Sequence, residues 1–268
     1  MTHCTVFYLM IITVLHPGAM GAAVAGSLQR AKHDVFFVPA GRSMHTLDRA
    51  DNLKLQKSES LHRSCEESDV IISVCPPHGA EDMAREVAHF DFKGVYVDAN
   101  AVSPERTRSI QEIVEGGGAT FVDGGIVGGP PKDRHQTYLY LSGPQAAHTV
   151  ASCFSEGLIE AEVISDRIGD AAETMGVRDR LFKQWKEEGS GLDEAAEKRT
   201  RFVTKKAWRW IDEMEEISKT FESAGQPGGF HSAAADVYRR IEHLKHNGEP
   251  PEFMEVLTSI MRIESDSD

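Results

Sequence analysis

The chain has 268 residues, 40% hydrophobic and 26% charged, which is enough apolar material for one large core or two smaller ones and too ordinary a mixture for a disordered or fibrous protein. Acidic residues number 42 against 29 Lys and Arg, a formal net charge of -13, so a phosphate-tracking surface for nucleic acid is not expected. Cys4, Cys65, Cys75 and Cys153 are widely spaced and form no CxxC or Cys/His cluster; they read as incidental or buried thiols in a reducing, cytoplasmic setting without a metal site.

Val6 to Leu15 is apolar apart from Thr13, but no Lys or Arg precedes it. It is also far shorter than the roughly 20 residues of a membrane-spanning helix and runs into a glycine turn. A buried strand is expected there, with Met1–Leu9 as an extension of no evident role, and no membrane partner.

Beyond it, short β-branched or aromatic runs alternate with helical spacing. Strands are expected at Ile11–Leu15, Val35–Val38, Val70–Val74, Gly94–Asp98, Thr120–Val122 and Tyr138–Ser142. Helices are expected at Ala19–Ala31, Glu81–His89 and Pro104–Glu115, the last opened by Ser103 as N-cap and Pro104 at the first helical position. Such βαβ alternation predicts an α/β fold with a doubly wound, mainly parallel sheet. Strand signals stop near Ile164, and Gly169 to Arg262 reads as helix interrupted at 189–191, 225–229 and 248–251. Two domains are therefore expected, 1–165 and 166–268, the second all-α. Within it Asp193–Ser223 is expected as one helix, with Val203, Ala207, Trp210, Met214, Ile217 and Phe221 on a packing face and acids opposite.

Strand Ile11–Leu15 leads into His16-Pro17-Gly18-Ala19-Met20-Gly21 and a helix of small residues. In a dinucleotide site such glycines allow a tight turn and close approach of the pyrophosphate to unpaired amides at the helix N-terminus. Here His16 stands at the first of the three glycine positions, and a strand-to-helix turn without ligand is an equal alternative. The next strand ends in Pro39-Ala40-Gly41-Arg42-Ser43, about 20 residues on, where a ribose-reading side chain belongs. No acid occupies that turn to bind the 2′-hydroxyl of NAD; Arg42 and Ser43 suit a 2′-phosphate, so NADP is favoured over NAD. Cys75-Pro76-Pro77 and Asp98-Ala99-Asn100 follow two more strands, on the edge where open α/β sheets bind ligands.

Together with Asp123-Gly124-Gly125-Ile126-Val127-Gly128-Gly129, these segments resemble the β-hydroxyacid dehydrogenases, the superfamily of 6-phosphogluconate and 3-hydroxyisobutyrate dehydrogenases. Lys206–Trp210, Glu213–Ile217 and Gly229-Phe230-His231 resemble a branch whose C-terminal domain has no known function. The resemblance runs from Met10 to about Lys245. It implies an NADP site lined by Gly18, Ala19, Met20, Gly21, Arg42, Ser43, Cys75, Pro76, Pro77 and Asn100. A substrate loop is implied at Gly124, Gly125, Val127, Gly128 and Gly129, with Val127 where many relatives carry serine. It also implies a small-molecule substrate and a homodimer built by the helical domain.

Relatives carry a lysine acid/base early in a long interdomain helix, whereas here no lysine lies between Val150 and Phe182, and Ala172–Val177 resembles the segment beyond that helix. Lys183, Lys205 and Lys206 are the nearest others. Three readings follow: an NADP-dependent oxidoreductase of a small hydroxy acid or carbonyl compound, a nucleotide-binding protein without turnover, and a helical interaction module around Trp208 and Trp210.

Overall fold

Runs such as Ile11–Val14 and Val70–Ser73 are mostly apolar and buried on both faces, as strands of a parallel sheet covered by helices on both sides must be. The computed structural model describes residues 9–166, 182, 185–186, 189–246 and 248–261. The chain falls into two compact units that divide between Arg180 and Leu181.

The first unit is Rossmann-like. Its strands are β1 (Ile11–Val14), β2 (Asp34–Phe37), β3 (Gln56–Lys57), β4 (Val70–Ser73), β5 (Val95–Asp98), β6 (Thr120–Val127), β7 (Tyr138–Ser142) and β8 (Glu160–Ser165). They form one sheet in the order β3-β2-β1-β4-β5-β6-β7-β8, parallel except for the antiparallel β6/β7 pair. Helices α1 (Ala19–Arg30), α2 (Met44–Asn52), α3 (Leu61–Glu67), α4 (Ala80–His89), α5 (Pro104–Gly116) and α6 (Ala146–Ser152) connect them. One face of the sheet packs Val24, Leu28 and Phe154 over Ile12, Val14 and Phe37. The opposite face packs Ala84, Val87 and Ile110 over Ile71, Tyr96 and Phe121. The strand order reverses between β1 and β4, and a crevice opens outside the carboxyl ends of strands at such a reversal.

All six expected strands and three expected helices are present, with ends shifted by a residue or so except in β6. Strand β6 runs on to Val127, so the segment expected as a substrate loop is largely strand. The cause is β7, which pairs with it from Asp123↔Ser142 to Val127↔Tyr138. Strands β3 and β8 and helices α2, α3 and α6 are additional to the expected elements. Strand β3 has two exposed residues and no periodicity to detect.

Unit two is helical: α7 (Leu192–Val203), α8 (Ala207–Ser223), α9 (Gly229–Ile241) and α10 (Phe253–Met261), with a short 3-10 turn at Glu242–Leu244. The single helix expected at Asp193–Ser223 is thus two. The break falls at Thr204, fully buried, whose hydroxyl donates to the carbonyl of Arg201 at 2.7 Å, and at Lys206, whose φ of -124° leaves the helical range. Side-chain bonding back to the preceding turn is how threonine bends helices. The expected packing face is otherwise used: Ala207 is buried against Ile241 and Val256, and Trp210 meets Tyr238 with ring centroids 5.4 Å apart. Phe221 departs from it, 42% exposed and stacked on His231. Residues 167–181, including the Gly169–Met175 junction and the Ala172–Val177 segment, lie outside the described residues.

Ser27, buried in α1, accepts the backbone N–H groups of Leu158 at 3.2 Å and Ile159 at 3.1 Å and so fixes the entry to β8. Ser27→Ala leaves two donors without a partner, each worth about 1–3 kcal/mol. The expected outcome is a lowered urea midpoint with an unchanged denaturant slope; an unchanged midpoint would mean water reaches those amides.

Candidate functional site

Helix α1 starts directly behind β1 because Gly21 has no side chain: a Cβ there would overlap the carbonyl oxygen of His16. That carbonyl also accepts the N–H of Gly18 at 2.8 Å, closing the turn. Gly18 is the N-cap residue, no side chain caps the helix, and no acid lies in its first turn. A Cβ on Gly18 would meet nothing within 4 Å. The two glycines therefore differ in role, Gly21 for helix–strand contact and Gly18 for open space before the helix N-terminus. His16 adds a polar atom, its Nδ1, which is buried without a hydrogen-bond partner. An uncapped helix start, an open glycine and an orphaned ring nitrogen fit a phosphate-bearing ligand.

Arg42 follows β2, and its Nε donates to the carbonyl of Val38 at 3.3 Å, folding the guanidinium back over the strand end. Burial lowers its pKa, opposed by the charges of Glu86 and Cys75. Ser43 caps α2, accepting the N–H of Thr46 at 3.3 Å. Its hydroxyl is thus already engaged, which leaves Arg42 as the charged donor at this corner. His16 feels the same guanidinium: burial first, then Arg42, lowers the imidazole pKa to about 4.

At the ends of β4 and β5, Asn100 acts as a brace. Its Oδ1 accepts the N–H of Cys75 at 2.5 Å, and its Nδ2 donates to Ser73 Oγ at 3.1 Å and to Asp98 Oδ1. The amide thereby ties the two strand-end turns together. Cys75 is half-buried, and burial raises its thiol pKa. Pro76 and Pro77 are exposed, and the carbonyl of Pro77 accepts from Arg106 Nη1 at 3.3 Å. Ala19 is also exposed.

A cleft of about 240 Å³ brings together Met20 of α1, Asn100, and Gly125, Val127 and Gly128 of the β6 end, with Val74, Ala99, Ala101, Ile126 and Tyr140 completing its wall. Expected cofactor and substrate residues thus share one pocket. Gly18, Ala19, Gly21, Arg42, Ser43, Cys75, Pro76 and Pro77 lie outside it, as do Gly124 and Gly129. Gly124 is buried, with a Cβ position only 3.3 Å from the carbonyl oxygen of Asp98, so it serves packing. Gly129 offers its carbonyl to Thr137 Oγ1. Gly128 has φ +107° and would strike the carbonyl of Gln136 with any side chain. Tyr140 is a cleft residue beyond those expected; β7 alternates the polar-tipped Tyr138, Tyr140 and Ser142 with Leu139 and Leu141, and that alternation in residue type is its signal in the sequence.

Beneath the turns, Ser73, Asp98, Asp123 and Ser142 occupy one register row across β4, β5, β6 and β7. All four are buried. Ser142 donates to Asp123 Oδ2 at 3.2 Å, while Asp98 Oδ2 is buried without a partner. The Asp98 carboxyl is pushed up to about 7, first by burial; the Asn100 amide opposes the rise and the Asp123 charge adds to it. Lys205 and Lys206 are exposed in the second unit, and Lys183 lies outside the described residues. Among the described residues no helix is long and apolar enough to cross a membrane.

With this geometry in view, the comparisons with known proteins are consistent. Residues 12–156 match the NAD binding domain of 6-phosphogluconate dehydrogenase, and residues 172–241 match a domain of unknown function, DUF1932. The first match spans more than half of the sequence, and the chain belongs to that nucleotide-binding family. The mitochondrial 3-hydroxyisobutyrate dehydrogenase of Drosophila melanogaster is 23% identical over 171 residues, 58% of this chain and 49% of that protein. The chain spans about half the length of the curated relatives it matches. An imine reductase from Myxococcus stipitatus in complex with NADP+ superposes with a TM-score of 0.60 at 17% identity, over 94% of this chain and 100% of that one. A conserved protein of unknown function, described as structurally similar to 3-hydroxyacid dehydrogenases, gives 0.57 at 21% identity, over 87% and 98%. These structural likenesses carry the fold.

The Asp98 shift has a stability consequence. An unfolded aspartate ionises near 3.9, so between about pH 4 and pH 7 the folded protein holds this proton more tightly, and stability falls as pH rises through that window. Asp98→Asn stays neutral throughout. Its melting temperature relative to the unaltered protein is expected to climb from pH 5 to about pH 7 and then level; a difference independent of pH would assign Asp98 an ordinary ionisation.

Proposed function

We propose that this chain binds NADP(H) and is an oxidoreductase of the β-hydroxyacid dehydrogenase type, acting on a small hydroxy acid or carbonyl compound. The observation that carries the cofactor reading is the pairing of an open glycine turn before α1 with Arg42, and no acid, in the turn after β2. In this reading residues 1–165 form the nucleotide domain and 166–268 the helical one, with a homodimer built through the latter.

Gly18 admits the pyrophosphate to the α1 amides, and Gly21 keeps that helix close enough to aim them. Arg42 offers a charged fork to the 2′-phosphate, and Ser43 preorganises the turn by capping α2. Asn100 sets the cleft floor by holding the Cys75 turn. Met20, Val127 and Tyr140 bound the cleft in which a small substrate sits against the carrier, and the nearly apolar wall keeps water from it. When bound, the nicotinamide supplies hydride-transfer chemistry.

The proton that accompanies hydride transfer needs an acid/base, and such a group contributes about 10²- to 10⁴-fold. The absence of lysine from Val150 to Phe182 favours a second reading, nucleotide binding without turnover.

Titration with NADPH and NADH, followed by fluorescence and thermal shift, tests the first step. NADPH is expected to bind at least tenfold more tightly than NADH. Arg42→Ala is expected to weaken NADPH by about 10- to 100-fold, the worth of one charge-assisted hydrogen-bond pair, and to leave NADH unchanged. A folded protein that binds neither nucleotide overturns the reading. Oxidation of bound NADPH across a panel of small carbonyl compounds then separates an enzyme from a binding protein.

A further inference from the structure

The cleft between α1 and the end of β6 carries no charged side chain among the described residues that line it. Met20, Val74, Ala99, Ala101, Ile126 and Val127 present carbon and sulfur, and the glycines present no side chain at all. Asn100 and Tyr140 bring the side-chain nitrogen and oxygen. The Asn100 amide is committed elsewhere: its oxygen accepts the Cys75 N–H, and its nitrogen donates to Ser73 and to Asp98, which accounts for both of its hydrogens. Apart from Tyr140, the side chains of the cleft therefore offer a ligand van der Waals contact only.

The surroundings are no kinder to an anion. The titratable groups adjoining cleft residues are acids: Asp98 accepts from Asn100, and Asp123 precedes Gly125 by two positions on β6. Arg42 is folded back on the carbonyl of Val38 and Arg106 on that of Pro77, and neither lines the cleft. Backbone amides do not replace the missing cation, because Gly125 to Val127 is strand, where successive N–H groups point to opposite sides instead of converging on one anion. The α1 amides face the pyrophosphate in the cofactor reading. A carboxylate entering this cleft sheds water and gains no cation, whereas a ketone or aldehyde of the same shape has no charge to desolvate. Resting on the oxidoreductase reading, we propose that the substrate of this cleft is an uncharged, largely apolar carbonyl compound and not a hydroxy acid, with Val127 as a specificity-determining residue of its wall.

Two matched pairs serve as probes: acetophenone with benzoate, and cyclohexyl methyl ketone with cyclohexanecarboxylate, where a methyl group in the ketone stands for a charged oxygen in the acid. Their dissociation constants are measured by saturation-transfer NMR on the full chain loaded with NADP+, which has no hydride to give, so the readout is binding and not turnover. The unaltered protein is compared with Val127→Lys, Val127→Met and Ala101→Lys, with the melting temperature of each as a fold control. Each ketone is expected to bind the unaltered protein at least about tenfold more tightly than its carboxylate, because the anion alone lacks a partner. Val127→Lys is expected to strengthen the carboxylates by about tenfold, the worth of one charged hydrogen bond, and to leave the ketones nearly unchanged. Ala101→Lys brings a cation to the cleft from another position should the Val127→Lys protein melt early, and the uncharged Val127→Met is expected to keep the ketone preference. Equal or tighter binding of the carboxylates by the unaltered protein overturns the proposal, since a cation from beyond the described lining then reaches the cleft. So does a ketone preference that a folded lysine variant leaves intact, which places the probes elsewhere, and so does failure of every probe to bind the NADP+-loaded protein. In those three cases the cofactor reading stands. Failure of NADP+ itself to bind the folded protein overturns that reading, and this proposal with it.

Discussion

The approach of Gly21 to the carbonyl of His16 is closer than any side chain permits, and the organisation of the nucleotide unit depends on it. A helix that leaves a strand this abruptly presents its first amides at the strand's carboxyl end rather than beside it. The order reversal between β1 and β4 places a crevice at that same end. One missing methyl group thus couples local turn geometry to the location of the site, while Gly18, three residues earlier, keeps the space in front of those amides open.

Underneath, the fold tolerates a row of polar residues that its own hydrophobic logic opposes. Ser73, Asp98, Asp123 and Ser142 sit level with one another because the strand pairing fixes their register, parallel from β4 to β6 and antiparallel from β6 to β7, and Ser73, Asp98 and Asp123 form the last pairs of the parallel ladders. Burial drives the Asp98 carboxyl toward its neutral form, and the Asn100 amide bridges from it to Ser73 and to the Cys75 backbone. Such a network holds the two cleft-lining turns in one geometry because an unpaired member in a dry site is costly. The helical unit solves a smaller version of that problem. Buried Ser218 donates to the carbonyl of Gly228 at 3.1 Å and contacts Ser232 Oγ at 2.8 Å, so α8 and α9 meet through small polar groups where they lie closest.

Elements with strong local patterns were legible: apolar strand runs, the Ser103-Pro104 helix start, the glycine turn, and the arginine after β2. Elements that owe their form to a partner were not. Strand β6 beyond Val122 reads as a glycine loop until β7 pairs with it, and Tyr140 becomes a cleft wall only through the same pairing. The break between α7 and α8 hides inside a continuous apolar period, because Thr204 is ordinary in sequence and decisive only once buried.

By itself the sequence determined the α/β class, the succession of units, the glycine turn after β1 and the absence of an acid from the turn after β2, since these rest on spacing and on backbone freedom at single residues. Only the tertiary structure decided that Asn100 braces two turns, that Gly124 packs while Gly128 bends, that Asp98 and Asp123 stand side by side, and that the Nδ1 of His16 is buried without a partner. Each of those is a relation between residues far apart in the chain, and burial and charge act through space, where sequence separation carries no information.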